Sequence, residues 1–416
     1  MTDHASSPPA TARPGTTLRP HEARPQTSDG SWVARRRQRV TDVAARRLHD
    51  DLVARGVTAT RSARGTTVTV LACLVLGVAA VAVGLLVWAT VAPKGLWGWL
   101  GVVAGWAFVG ALVPRPVRLS ETVRLEPADF PATHRLLADL ADGVGARAPV
   151  EVHLDAGWGV ELVAVGWAAR PTLVVGLPLW TCLTDDERVA LLCHELGHVR
   201  NGDGLRAVLV GQAHGLLDRL ATLLTPLPRD AVSDLVDDSL EVSRSQTTMN
   251  GLGRLVLTVV SAPAVVTLLA FERAVSQEGQ QREYAADLRA AEVAGTAAVV
   301  RLLLTTMGLA GVHTLAGAAA RRREDPFTAL DTVRARPDLT ARDIALARSR
   351  AREHDLRWDA AHPRDDLRLG VLEAHPTTPE PEALADRRAL ARAADAELAG
   401  QRPALTRRLR DELLDT

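Results

Sequence analysis

TDDERVALLCHELGHVR, residues 184–200, predicts an amphipathic helix that carries two histidines one turn apart. His194 and His198 stand at i and i+4, so their imidazoles project from the same side of the helix. Two imidazoles at this spacing can reach one metal ion, with Zn–N distances of about 2.0–2.1 Å. Glu195 is turned by about 100° around the helix axis, which directs it at a water molecule beside the metal rather than at the metal. The stretch therefore predicts a zinc site with a carboxylate base next to it.

This helix has a clear start and a clear inner face. Thr184 followed three residues later by Glu187 is the pattern of a capping box. The apolar stripe that would face the core consists of Val189, Leu192, Leu196 and Val199. Because a helix cap and an apolar stripe occur in the same segment, the two histidines and the glutamate are better explained by a metal site than by chance.

The site lacks a third protein ligand, which a catalytic zinc site needs. A three-histidine site of the metzincin type would have glycine at position 201 and histidine at position 204. These positions hold Asn201 and Gly204, so that class is excluded. The common alternative is a glutamate from a second helix. The downstream candidates are Glu241, Glu272, Glu278, Glu283 and Glu292.

QREYAADLRAAE, residues 281–292, is the strongest of these candidate segments. Glu283 and Asp287 are four residues apart, so both carboxylates lie on one helical face. Glu283 can then bind the metal while Asp287 accepts the outer N–H of a ligating histidine and fixes its tautomer. The alternative is an ordinary pair of acidic residues on an exposed helix.

Two long apolar runs precede this part of the chain. Thr67–Ala92 carries no charge and is long enough to span a bilayer. Leu96–Val113 is a second uncharged run, with Trp97 and Trp99 where an interfacial belt would lie. The two runs predict a transmembrane hairpin over residues 67–113.

Arginines flank both ends of this hairpin, and they predict that both ends are cytoplasmic. They are Arg61, Arg64, Arg115 and Arg118. A second hairpin is predicted over residues 205–225 and 255–271, because an even number of crossings must separate ligands that meet at one metal. The first of these two segments contains Asp218 and Arg219. Either the two side chains pair inside a helix bundle, or both segments lie in the interface.

The remaining regions complete the predicted organisation. Residues 1–30 have too few large apolar side chains to fold and predict a disordered tail. Residues 31–66 predict a basic juxtamembrane helix, either solvated or lying against an anionic leaflet. Residues 117–300 predict the catalytic domain, and residues 301–416 a helical region rich in alanine, arginine and glutamate.

Inside the catalytic domain, strands are expected over residues 150–154, 161–165 and 172–177. The expected fold class is thus α+β, mostly helical, with a small mixed sheet. If residues 172–177 form an edge strand, they can pair with an extended substrate.

Composition narrows the function classes. Lys and Arg total 49, as do Asp and Glu, so the zero net charge argues against nucleic-acid binding. The three cysteines include no C-x-x-C pair, which excludes a disulfide framework or a cysteine zinc cluster as the organising feature.

The hairpin, the segment DERVALLCHELGHVRNGD, the later apolar run and EYAAD together resemble membrane-bound zinc metallopeptidases of the HtpX and CAAX-prenyl-protease type. The resemblance implies one zinc ion per chain, bound by His194, His198 and Glu283. It also implies hydrolysis of peptides or proteins, membrane proteins among the candidates, at the cytoplasmic face of a bacterial plasma membrane. The oligomeric state is left open.

The same resemblance implies that Glu195 is the base and Asp287 the supporting carboxylate, with His375 of a late His-Pro element as a further catalytic residue. The arginine that usually follows this element is displaced here, to Arg387 or Arg388. The family's substrate-side asparagine is missing from residues 155–162, DAGWGVEL.

Three questions stay open at this point. The donor that stabilises the oxyanion is His375, Tyr284 or a nearby arginine. A sensor-transducer zinc protease is an alternative to a housekeeping protease. A catalytically inactive membrane scaffold that keeps the fold is a further alternative.

Overall fold

The computed structural model describes residues 45–54, 63–92, 95–113, 119, 121–149, 151–166, 170–200, 203–224, 248–335, 340–353 and 363–415. The predicted tail over residues 1–30, the start of the basic helix and the flanking Arg61, Arg115 and Arg118 lie outside the described residues. Most described residues are helical, and one small mixed sheet accompanies them, which confirms the coarse fold class.

The four described strands all lie between residues 123 and 176, and helices precede and follow them. The strands are β1 Val123–Arg124, β2 Glu151–Asp155, β3 Val160–Val165 and β4 Arg170–Gly176. The helices are α1 (residues 45–54), α2 Ala63–Val91, α3 Leu96–Leu112, α4 Pro131–Val144, α5 Leu177–Cys182, α6 Asp185–Arg200, α7 Asp203–Leu224, α8 Thr248–Ala294, α9 Thr296–Met307, α10 Leu309–Arg321, α11 Pro326–Arg334, α12 Ala341–Glu353, α13 Asp365–Ala374, α14 Pro381–Ala399 and α15 Arg402–Leu414.

The four strands lie in the order β1-β2-β4-β3. β2 pairs with β4 in parallel and β3 pairs with β4 antiparallel, so Val175 stands between Leu154 and Val160. The condition for substrate pairing at residues 172–177, a position at the sheet edge, is therefore not met. β4 uses both of its sides within the sheet, and β3 lies at the edge instead.

One hydrophobic core joins the sheet to helices from both sides of the boundary predicted at residue 300. Leu154 and Val175 of the sheet, Leu302 of α9 and Leu405 of α15 are all buried in it. α9 and α10 are apolar enough to be considered as one broken span with a 56° bend. Their buried side chains pack into this core, so we treat them as part of the domain.

The N-terminal end of α6 is fixed by buried polar contacts. The capping box is confirmed, because Thr184 N and Oγ1 both donate to Glu187 at 2.7 Å. The fully buried Arg188 donates to the carbonyl of Trp180 at 3.1 Å and lies 2.7 Å from Asp395 of α14. These contacts set the position of the helix that carries the two histidines.

α2, α3, α7 and α8 form a bundle beside the catalytic domain. Its apolar interior contains Ala72, Ala213, Leu217, Leu268 and Phe271. α8 is 47 residues long, about 70 Å, and reaches from the bundle to Glu283 as one continuous helix.

Only part of this bundle meets the requirements of a membrane span. Within the described residues, the segment Gly65–Val91 of α2 is the single helix long and apolar enough to cross a bilayer, and α3 is apolar but shorter. For Asp218 and Arg219, the sequence left open whether they pair inside a bundle or whether both segments lie in the interface. In the structure, Arg219 donates to the carbonyl of Val113 at the end of α3.

The described part of the basic N-terminal helix, α1, packs on the domain. Leu48 and Leu52 are buried against Tyr284 and Val371, while the arginines of α1 are exposed. The two predicted placements, solvated or against a leaflet, are therefore wrong for its apolar face. The helical spacing of the sequence identified the apolar face of α1, but it did not show that the catalytic domain covers this face.

Candidate metal centre

Three side chains from two helices converge at one point. Glu283 of α8 lies 3.5 Å from Nε2 of His194 and 3.5 Å from Nε2 of His198. The two Nε2 atoms are 3.3 Å apart. These ligand atoms all lie within 4.8 Å of one another, so a single metal ion could contact all three.

Close packing of α6 on α8 makes this convergence feasible. A Cβ atom at Gly197 would stand 3.2 Å from the Cα of Ala286, which is tighter than ordinary side-chain contact. Glycine at this position therefore allows the two backbones to approach between the histidine pair and the glutamate. A larger side chain would push the helices apart.

The donor set fits zinc. Two imidazole nitrogens and one carboxylate oxygen are ligands that zinc accepts, and three protein ligands leave a coordination position open. Oδ1 of Asp287 lies 3.0 Å from Nδ1 of His194. When the ring is neutral, this contact places its proton on Nδ1 and leaves the Nε2 lone pair for the metal.

Arg368 is a residue of this centre that the sequence did not identify. Its Nε and Nη2 donate to the two oxygens of Asp287 at 2.8 and 2.7 Å, and Nη2 lies 3.7 Å from Glu283. It belongs to α13 and is almost fully buried. The only signal was the arginine expected near the His-Pro element, and here it precedes His375 by seven residues instead of following it.

The two arginines proposed from the sequence for that position lie elsewhere. Arg387 pairs with Asp139, and Arg388 pairs with Asp186. Neither has a contact with the histidine pair among those that the structure describes.

His375 and Tyr284 are also not brought to the metal-binding atoms. Nε2 of His375 lies 2.9 Å from the backbone carbonyl of Leu52, which joins α13 to α1. Tyr284 is fully buried in the cluster that includes Leu48 and Leu367. By contrast, Glu195 lies half-buried on α6 directly after His194.

A cavity of about 440 Å³ opens beside the cluster, between α7 and α8. His198, Arg282 and Glu283 line one end of it, and His214 lines the other. The metal-binding atoms are thus accessible from one side and enclosed by Asp287 and Arg368 on the other.

Protonation of the histidine pair is strongly uneven. Burial opposes protonation of His194, but the hydrogen bonds and charges of Asp287 and Glu283 outweigh it and raise the pKa of His194 to about 10. Burial and the neighbouring His194 lower the pKa of His198 to about 4. The guanidinium of Arg368, working against burial, holds the pKa of Asp287 below its usual value.

Two histidines on one helix and a glutamate on a second define the arrangement of a metallopeptidase of the His-Glu-x-x-His class. The chain belongs to peptidase family M48, whose sequence model matches residues 127–376, more than half of the chain. This confirms the resemblance drawn from the motifs.

Curated relatives support the same assignment. Protease HtpX of Acinetobacter baylyi is 30% identical over 169 residues, 40% of this chain and 52% of that protein. Protease HtpX of Chromohalobacter salexigens is 32% identical over 178 residues, 41% of this chain and 56% of that protein. The chain spans about half the length of the curated relatives it matches. No solved structure matches the chain.

Metal binding should release about one proton at neutral pH, because His194 is protonated and His198 neutral in the metal-free site. The apparent zinc affinity should therefore rise about tenfold per pH unit between about pH 5 and 9. Calorimetry in buffers of different ionisation enthalpy measures the released proton. Asp287→Asn should reduce the release at pH 8, since it removes the charge that raises the pKa of His194. Equal release by both proteins would contradict this account.

Arg368→Ala should weaken zinc binding by about 10–100-fold, because Asp287 loses the cation that orients it behind His194. Arg368→Lys should recover part of the loss, since it restores the charge without the two-point hydrogen bond. Competition with a zinc chelator measures the affinity. Arg388→Ala, which removes an arginine–aspartate pair at the surface, is the matched control. Wild-type zinc affinity in Arg368→Ala would contradict the role.

Proposed function

We propose that this protein is a membrane-anchored zinc metalloendopeptidase that hydrolyses peptide bonds at the cytoplasmic face. The observation that carries the proposal is the convergence of His194, His198 and Glu283, with Asp287 oriented behind the first histidine. Membership in peptidase family M48 supports peptide hydrolysis as the reaction.

His194, His198 and Glu283 would hold the zinc ion. When bound, zinc polarises the carbonyl of the scissile bond and makes water acidic enough to attack at neutral pH. Asp287 and Arg368 hold the first histidine in the tautomer that binds metal. The charge of Arg368 also offsets the cost of burying the two carboxylates Asp287 and Glu283 side by side.

Glu195 is the proposed general base. It follows His194 on α6, so it lies beside the metal position but points away from it. In this role it takes a proton from the attacking water and delivers that proton to the nitrogen of the leaving amine. The water oxygen bonds to the carbonyl carbon, and the carbon–nitrogen bond breaks.

We infer that the substrate binds as an additional strand along β3. Among the described strands, β3 pairs with β4 alone, and it also packs against α6. An extended peptide that hydrogen bonds to such an edge needs no particular sequence, because its backbone makes the contacts. This placement would bring a backbone carbonyl past the two histidines, and it replaces the role first assigned to residues 172–177.

Membrane anchoring is supported by the outer surface of α2. Its large apolar side chains are more than half exposed at Leu74, Val78, Val81 and Leu85. A continuous apolar surface of this kind is unfavourable in water and is typical of a lipid-facing helix. Together with the flanking arginines of the sequence, it supports a cytoplasmic catalytic domain in a bacterial plasma membrane. A role in membrane-protein quality control is the corresponding biological hypothesis.

An inactive scaffold and a sensor-transducer protease are the alternatives. The buried Asp287–Arg368 pair disfavours the scaffold, because this pair orients a metal ligand and an inactive chain does not need an oriented ligand. The zinc content of the purified protein distinguishes the scaffold from a protease, because a protein without zinc would favour the inactive scaffold. A sensor-transducer would cleave only after an extracellular signal. Cleavage of substrate by the isolated protein would therefore exclude this class.

Glu195→Gln should keep zinc but lose cleavage of casein by at least about 10²–10⁴-fold, because the amide cannot accept the proton of the attacking water. The matched control is Glu292→Gln, an exposed glutamate of α8. Zinc stoichiometry and the rate of casein cleavage are measured on the same preparations. Full activity of Glu195→Gln would remove this residue from the mechanism.

The full chain should remain in the membrane pellet after extraction with alkaline carbonate. Val78→Asp should shift protein into the supernatant, because a charge near mid-bilayer costs a few kcal/mol. Leu414→Asp changes an equally apolar, half-exposed residue outside the bundle and should have no effect. Recovery of the unmodified chain in the supernatant would contradict membrane anchoring.

A further inference from the structure

A hydrogen-bond donor aimed at the carbonyl oxygen accelerates peptide hydrolysis, because that oxygen becomes negatively charged in the transition state. Such a donor must lie on the Nε2 side of the histidine pair, where a scissile carbonyl can approach the metal-binding atoms. From the sequence, the candidates for this donor are His375, Tyr284 and a nearby arginine. Their positions in the structure show which of them can reach the carbonyl oxygen.

Three of the candidates lie on the wrong side or are already engaged. His375 is joined to the carbonyl of Leu52 at 2.9 Å. Tyr284 is fully buried beneath α1. Arg368 lies behind the Nδ1 side of His194, and Asp287 holds it by two hydrogen bonds.

Arg282 lies on the open side. It precedes Glu283 on α8 and lines the cavity together with Glu283 and His198. Arg282 is partly buried, so a hydrogen bond from it to a substrate atom is only partly screened by water.

Arg206 of α7 is the other arginine that lines the cavity. Nε of Arg206 donates to Oγ1 of Thr69 at 2.7 Å, and its Nη2 donates to the carbonyl of Gly65 at 2.9 Å. Glu278 forms an ion pair with the same guanidinium. Arg206 therefore joins α7 to α2 and α8, whereas Arg282 directly precedes the proposed ligand Glu283 on α8.

We propose that Arg282 is the catalytic residue that binds the scissile carbonyl oxygen in the tetrahedral transition state. The proposal rests on the peptidase function proposed above. As the water oxygen bonds to the carbonyl carbon, the π electron pair moves onto the carbonyl oxygen. Arg282 donates N–H hydrogen bonds to that oxygen and keeps its own protons, while Glu195 carries the proton of the water to the leaving nitrogen.

Arg282→Ala should lower kcat for casein-derived peptides by about 10²–10³-fold while KM changes little, as for the loss of one oxyanion donor elsewhere. Zinc content should stay at the wild-type level. Arg282→Lys should recover part of kcat. Added guanidinium chloride at millimolar concentration should partly rescue Arg282→Ala. Arg289→Ala is the matched control, because it removes an arginine two turns along α8 whose partner is the exposed Glu292.

A second measurement does not depend on turnover. A phosphinic peptide of one fixed casein-derived sequence, chosen before any cleavage is measured, imitates the tetrahedral species, and its Kd should rise in Arg282→Ala by about the factor lost in kcat. Unchanged affinity for this probe would overturn the proposal. A loss confined to KM that disappears with C-terminally amidated peptides would also overturn it, because Arg282 would then bind a substrate carboxylate.

Failure of the peptidase function gives a different result. A wild-type protein that holds zinc and cleaves no casein would disprove the proposed function. The phosphinic peptide, applied to that same protein and to Arg282→Ala, would still report whether Arg282 contacts a tetrahedral phosphorus group.

Discussion

The close approach of α6 to α8 is the constraint on which the rest of this protein depends. Glu283 follows His198 by 85 residues, and only direct contact between the two helices brings their side chains to one point. Gly197 permits that contact because its backbone faces Ala286 without an intervening side chain. Any element that shifts either helix changes the distance between the ligands.

Several buried interactions outside the ligand set restrain these helices. Arg188 and the capping box hold the start of α6, and Arg206 holds the start of α7 against α2 and α8. Arg368 approaches from α13 and holds Asp287. Charged groups are costly to bury unless each is paired, so these pairs occur where helices from distant parts of the sequence must keep a fixed position.

The features of the site that lie within one helix could be predicted from local sequence patterns. The i, i+4 spacing fixes the direction of two histidines, and the same spacing relates Glu283 to Asp287. A capping box is likewise a four-residue signal, and the structure confirms it. The uncharged run over residues 67–92 predicted a long apolar helix, and the structure has one at Ala63–Val91.

Features that depend on contacts between residues far apart in the sequence could not be predicted from local patterns. The order of the strands depends on which side of β2 the chain returns to, and hydrophobic alternation is the same for a central and an edge strand. Arg368 resembles any other arginine of a charged helix until Asp287 is placed beside it. The late His-Pro element was predicted to be catalytic, whereas His375 joins α13 to Leu52.

The packing of α1 on α13 has a consequence for biosynthesis. The carbonyl of Leu52 leaves the ribosome 323 residues before His375, its hydrogen-bond partner. At roughly 5–20 residues per second, about 15–65 s separate the two. Arg368 lies on the same late helix as His375. The histidines and α2 are therefore synthesised well before the group that orients Asp287, so a nascent chain holds an incomplete centre until residue 368 has been added.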